Sequence, residues 1–279
     1  MIKRILIALD PDEDTPIATQ YAIKLAKNND ASVTGLAVVD TSNIYPTAIV
    51  GDPDETHHAR NLWEELTEES RNIASKLLEK FSSDVEKAGV RHSEISKEGA
   101  SYDRIIEGMK YHDLLVVGRD SHFFYNEPKQ DTKTLAQVVK YGVSPTLIVT
   151  QHFDEVNKVL IAFDGSRPAA RSLKSFAHLK PFGSDVDIEL FHVQNESNTG
   201  DMRLKFASDY LKEHNFESVA LKTLDKGNTS EQILERSREI GADVIVLGAH
   251  AVSAIKRLAF GSTTHDLITK TDKPLFMTP

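Results

Sequence analysis

Between Leu247 and Thr264 the chain reads LGAHAVSAIKRLAFGSTT, a loop whose glycines and hydroxyls are of the kind that hold an anion. The preceding DVIVL is a short, β-branched apolar run, the pattern of a buried parallel strand. Gly248 closes that strand, at a point where the backbone bends sharply or admits a close neighbour. Thirteen positions later, Gly261-Ser262-Thr263 opens a segment, TTHDLITK, with apolar residues at helical spacing. A helix start presents unpaired N–H groups, hydroxyls and the positive end of a dipole, all suited to phosphate. The same residues also fit a capped helix with nothing bound, since Thr263 and Asp266 have capping-box spacing.

Other chemistries are poorly supplied. The chain has no G-x-x-x-x-G-K-[ST] loop, no G-x-G and no G-x-S-x-G, so the common nucleotide fingerprints and the nucleophile elbow are missing. His265 and Asp266 are adjacent on a helical pattern, point in different directions and make no triad with the neighbouring threonines. Asp52, Asp54, Glu55, His57 and His58 in GDPDETHH are metal-ligand types, but the stretch is expected to be a solvated loop. No catalytic residue and no metal ligand is assigned. With no cysteine, disulfides, thiolate metal sites and thiol nucleophiles are excluded.

Composition narrows the class further. A net charge of −9, from 42 acidic and 33 basic residues, argues against a nucleic-acid footprint, Lys256-Arg257 being a small local exception. No apolar run approaches the roughly 20 residues of a membrane span, and MIKRILIALD lacks a signal-peptide cleavage pattern, so a cytoplasmic protein is expected.

The elements that must position the loop occur twice. KRILIALD and KVLIAFD are apolar strands ending in aspartate, each followed by a helix-like segment, TPIATQYAIKLAKNN and RPAARSLKSFAHL. ASVTGLAVVD pairs with SDVDIELFHVQ, SEISKEGASYDRIIEGM with LKTLDKGNTSEQILERS, DLLVVG with DVIVLG, and PTLIVT with PLFMTP. Strands alternating with helices mean βαβ crossovers and a parallel sheet in each half. The expected domains are residues 1–151 and 157–279, joined by the short polar link QHFDEVN. The first has extra material after its second strand: NIYPTAIVGDPDETHHAR, then the long helical pattern NLWEELTEESRNIASKLLEKFSSDVEKA.

IAFDGS at Ile161–Ser166, together with Gly248, Ala251, Gly261 and Ser262 in a G-x2-G-x9-G-[ST] pattern, resembles the universal stress proteins, with Ala251 replacing one glycine. The resemblance covers the whole chain as a tandem of two domains. It implies an α/β fold: two similar open, parallel, five-stranded sheets of the Rossmann-like, adenine nucleotide α-hydrolase-like kind. Their last strands, PTLIVT and PLFMTP, would pair as an intramolecular pseudo-dimer. It also implies ATP or ADP, with or without magnesium, at the carboxyl edge of the strands, where ligands of such sheets bind. Ala162 and Asp164 would then meet the adenine and ribose end, and Val193 would line the base pocket. Gly248, His250 and Ala251 would flank ribose and phosphates, while Gly261, Ser262 and Thr263 would donate to phosphate and Arg257 would add a charged contact. Plain alternatives stay open: Asp164 as an Asx-type turn with Gly165-Ser166, His250 and Arg257 as surface residues, and Val193 as core.

The first half is expected to be silent. Its corresponding stretch, VVGRDSHFFYNEPKQDTKTLAQVV, keeps Gly118 but has Ser121 for the second glycine and Asp131-Thr132 for Gly-Ser, and Asp120, Glu127 and Asp131 would repel phosphate. The expected function is a stress-response regulator binding ATP or ADP through its second domain, with slow or no hydrolysis, contacts to protein partners of unknown identity, and room for a homodimer of whole chains. The alternatives are a nucleotide-independent interaction scaffold with both sites decayed and, less favoured, an ATP-consuming enzyme.

Overall fold

Runs such as RILIAL and VIVLG bury side chains on both faces, which is possible only for strands covered above and below. The computed structural model describes residues 1–41, 53–121, 123, 125, 133–194, 200–249 and 262–279. In chain order the first half is β1 (Arg4–Leu9), α1 (Asp14–Asn29), β2 (Ser32–Val39), α2 (Pro53–Lys87), β3 (His92–Glu98), α3 (Ser101–Met109), β4 (Leu114–Gly118), α4 (Lys133–Tyr141) and β5 (Thr146–Val149). The second half repeats the plan with β6 (Lys158–Ala162), α5 (Arg167–Leu179), β7 (Asp187–Val193), α6 (Gly200–Glu213), β8 (Val219–Leu224), α7 (Thr229–Ile240), β9 (Val244–Gly248), α8 (Ser262–Lys270) and β10 (Leu275–Thr278). The extra material of the first half is largely α2, a 35-residue helix where α6 has 14. GDPDETHH was expected to be a loop, and here the structure differs: Pro53 to His58 already lie in α2, because the helical pattern of the following residues extends back to its proline, which is tolerated in a first turn.

The strand order is β3-β2-β1-β4-β5-β10-β9-β6-β7-β8. Within each half every pair is parallel, as the crossover helices require. The halves meet at one antiparallel pair, in which Leu275, Phe276 and Met277 of β10 face Ile148, Leu147 and Thr146 of β5. The expected pairing of the two last strands is thus present, and two five-stranded sheets become one with ten strands. One apolar layer, with Tyr21, Phe81, Phe176 and Phe216, lies under α1, α2, α5 and α6. The other, with Ile105, Leu135, Ile233 and Leu267, lies under α3, α4, α7 and α8.

The link between β5 and β6 is also packed. Phe153 meets the Tyr21 ring edge-on at 4.7 Å, and the Asp154 N–H donates to the Tyr21 hydroxyl at 3.1 Å. Arg119 Nη1 donates to the Thr271 carbonyl at 2.6 Å and Thr150 Oγ1 to the Asp272 carbonyl at 3.0 Å, tying the halves beside the seam.

Equivalent positions on the second strands solve polar burial differently. Thr34 and Glu189 correspond when Leu6 and Leu160 are superposed, since each faces one of them across the sheet. Glu189 takes two bonds from Arg236 of α7, at 2.7 and 2.8 Å, a bidentate pair that satisfies both oxygens. Thr34 instead bonds His112 Nε2 at 2.9 Å and Ser93 Oγ at 3.0 Å, while His112 Nδ1 lies 2.7 Å from the Gly108 carbonyl. That carbonyl only accepts, so Nδ1 carries the proton and Nε2 accepts from Thr34. Burial holds the His112 pKa below its ordinary value.

Two outcomes are expected. Because the folded His112 pKa is depressed, its stabilising effect is present above the unfolded pKa of about 6.5 and is lost as pH falls from there through the folded value. Urea unfolding at pH 7.5 and 5.5 should therefore show a smaller acid loss in His112→Gln than in the wild type. Second, the Thr146 hydroxyl, at the seam, is buried with no partner among the described residues. Thr146→Val should raise stability by about 1 kcal/mol, read as a higher urea midpoint at unchanged slope.

Candidate functional site

The second half builds its site from the turn between β6 and α5. Asp164 Oδ1 accepts the Ser166 N–H at 2.9 Å, Gly165 adopts φ +77°, and Ser166 caps α5 by accepting from the Ala169 N–H at 3.3 Å. Asp164 does form the Asx-type turn. Arg203 of α6 donates from Nη1 to the Asp164 carbonyl at 2.9 Å, so the turn is also held from the side. Across it, α5 lies directly on the end of β9: a Cβ on Gly248 would stand 2.4 Å from both the Pro168 carbonyl carbon and the Ala169 nitrogen. Gly248 is thus needed for helix approach. Ser172 Oγ completes the clamp, donating to the Leu247 carbonyl at 2.8 Å and accepting from the Thr278 N–H at 3.0 Å.

These constraints leave a cleft of about 280 Å³ at the carboxyl ends of β6, β7 and β9, beside the start of α8. Ala162, Asp164, Val193, Gly248 and Thr263, five of the expected site residues, line it together. Phe191, Ile233, Leu247 and Leu267 make its apolar walls, and Thr229 and Thr264 add hydroxyls. Thr229, Thr264 and the walls escaped sequence reasoning, although Thr229 follows the Gly227 singled out as a strand-to-helix junction. His192, also in the lining, turns Nδ1 onto the Phe163 carbonyl at 2.9 Å.

Ser262 is the first residue of α8. His250, Ala251, Lys256, Arg257 and Gly261, with the side chain of Ser262, lie outside the described residues. Asp266 does not answer to the capping-box reading with Thr263 in any bond that the structure shows. Its carboxylate accepts from Ser230 Oγ at 3.0 Å and pairs with Lys270 at 3.1 Å, and Lys270, then Ser230, hold its pKa low.

The corresponding place in the first half is built differently. Asp10, the counterpart of Asp164, is fully buried and accepts from the Phe123 N–H at 2.6 Å and the Asp12 N–H at 3.2 Å. Asp164, by contrast, is exposed. Ser121 is buried, with its hydroxyl unpartnered among the described residues and close to Gly118. Asp120 donates its N–H to Asp14 and pairs with Arg119. Glu127, Asp131 and Thr132 lie outside the described residues, as do residues 42–52 with the NIYPTAIV stretch and the side chains of residues 53–59. Among the described residues no three His, Asp or Glu gather as metal ligands, and no helix is long and apolar enough to cross a membrane.

With this geometry in view, residues 1–141 and 155–279 each match the model of the universal stress protein family. A universal stress protein of Synechocystis sp. is 25% identical over 167 residues, which are 58% of this chain and 56% of that protein, so the match spans just over half the relative's length. One of Bacillus subtilis is 25% identical over 134 residues, 39% of this chain and 89% of its own. The crystal structure of a universal stress protein from Archaeoglobus fulgidus shares the fold at TM-score 0.73 and 19% identity, over 99% of this chain and 97% of that one.

The helix contact makes a prediction about Gly248. Gly248→Ala should destabilise the protein by about 1–3 kcal/mol through overpacking, whereas Gly241→Ala, at φ +63° with open space around it, should lose only the strain of a left-handed residue, about 1 kcal/mol. Equal losses in thermal unfolding would contradict the helix-contact account.

Proposed function

The chain belongs to the universal stress protein family, and from that premise we propose that its second half binds ATP or ADP in the cleft at the carboxyl ends of β6, β7 and β9. The working units of this reading are residues 1–151 and 157–279. The observation that carries it is the convergence of Ala162, Asp164, Val193, Gly248 and Thr263 on one cleft of about 280 Å³, near the lower end of ligand-sized pockets, which begin around 300 Å³. A planar base fits between apolar walls such as Val193, Ile233 and Leu267. Asp164 at the mouth offers a carboxylate acceptor for ribose hydroxyls. Thr263, Thr264 and the first turn of α8 offer hydroxyls, N–H groups and a favourable dipole to phosphate. His250, Ala251, Arg257, Gly261 and Ser262 complete the set on sequence grounds, and magnesium would accompany the phosphates from solvent.

The role is carriage or sensing of the nucleotide, with slow or no hydrolysis. Among the described lining residues the titratable groups are Asp164 and His192, and His192 is buried with one nitrogen on the Phe163 carbonyl, so these two do not form an acid–base pair facing the cleft. Protein partners would then read the occupied state in the cytoplasm, as a single chain or as a homodimer.

Saturating ATP should raise the melting temperature, because a ligand at 100 times its Kd adds about 2.7 kcal/mol to the folded state. Ala162→Phe, which puts a ring into the cleft, should stay folded and lose the shift. A wild-type protein that neither shifts with ATP or ADP nor carries nucleotide after purification is the scaffold instead.

A further inference from the structure

Superposing Asp10 on Asp164 and following the strand register makes Ala8, Leu9 and Val38 the counterparts of Ala162, Phe163 and Val193, and Ser101 and Ile105 those of Thr229 and Ile233. All of these second-half residues line the open cleft. In the first half the same positions are taken by the chain itself. The Phe123 N–H donates to Asp10 Oδ2 at 2.6 Å, and the Phe123 carbonyl accepts from Ser101 Oγ at 3.3 Å. Its ring is 1% exposed, in the same buried cluster as Ala8, Val38 and Ile105. Two residues on, the Tyr125 hydroxyl donates to the Leu9 carbonyl at 3.3 Å and accepts from the Val38 N–H at 3.2 Å, while its ring packs on Ala37, Val39 and α2.

We infer that the first half contains a latent site for a planar ring compound, which Phe123 and Tyr125 occupy as a built-in ligand. Phe123 fills the apolar chamber, and Tyr125 satisfies the backbone edge that a polar ring would otherwise meet. The backbone carries the mark of this arrangement: Phe123 has φ +61°, a left-handed conformation that a bulky side chain adopts only when its surroundings dictate it. Asp10 and Ser101 hold the peptide on both sides and supply that dictation. Burial, then the nearby Asp10 charge, push the Tyr125 pKa upward, so the phenol stays a donor over the whole physiological range. The inference concerns the first half alone and stands whether or not the second binds nucleotide.

The test is cavity rescue in the full chain, in the Ala162→Phe background so that the other cleft contributes nothing. Phe123→Gly removes the ring and suits the positive φ. Toluene should raise the melting temperature of this variant by at least roughly 2–4 °C and leave the parent unmoved. A folded variant that toluene does not stabilise more than its parent overturns the inference. A second measurement covers a variant that does not fold: Tyr125→Phe should melt roughly 2–4 °C lower than wild type, because the Val38 N–H and Leu9 carbonyl lose their partner. A melting temperature equal to wild type would contradict the assignment.

Discussion

The antiparallel contact of β5 with β10 is the constraint from which the rest of the molecule follows. Each half by itself would end in a short, apolar strand with unpaired backbone groups on its outer side, and such an edge invites association. Joining the two in register, Leu147 to Phe276 and Ile148 to Leu275, turns both edges into the centre of a sheet. Apolar layers can then run unbroken beneath four helices on each face. Because these strands carry no charged side chain, the seam itself rests on burial and ladder hydrogen bonds. The polar link and the Arg119 and Thr150 contacts fix its rotation.

Much of this was legible in the sequence. Apolar runs ending in Asp10 and Asp164, glycines at Gly118 and Gly248, and the matched terminal segments marked the repeat, and each marks a local physical necessity. Gly248 shows the limit of that reading. Its spacing pointed to a ligand, whereas the residue first of all makes room for the start of α5. Asp266 likewise had the spacing of a cap, but its bonds run to Ser230, from another helix, and to Lys270, which a local pattern does not reveal. The first half was read from Ser121 and Asp131-Thr132 in place of the glycines and from the acidic residues Asp120, Glu127 and Asp131. Among the described residues, what stands at that place is the inward turn of Phe123 and Tyr125. No periodicity announces that turn, since it rests on single bonds to Asp10, Ser101, Leu9 and Val38 from residues far away in sequence.

One side chain illustrates how a duplicated fold separates its copies. Asp164 sits exposed on a turn with a glycine behind it and an arginine across its carbonyl; Asp10, at the same station, is sealed and binds the backbone of its own loop. The strand, the helix and the aspartate are unchanged between them. In the first half, Phe123 of the segment after the fourth strand reaches that aspartate. The second strands diverged in the same way: a neutral Thr34–His112 pair in one copy, a bidentate Glu189–Arg236 pair in the other. The first rests on an uncharged imidazole, the second on opposite charges across a sheet-to-helix contact.

Strand direction reverses where the sheets meet, so carboxyl ends on one side of the seam point away from those on the other. The open mouth and the stoppered one therefore look out from opposite poles of the molecule. A macromolecule seated over the first would have no line of sight to the second. What joins the two ends is the continuous ten-stranded sheet and the apolar layers on its faces.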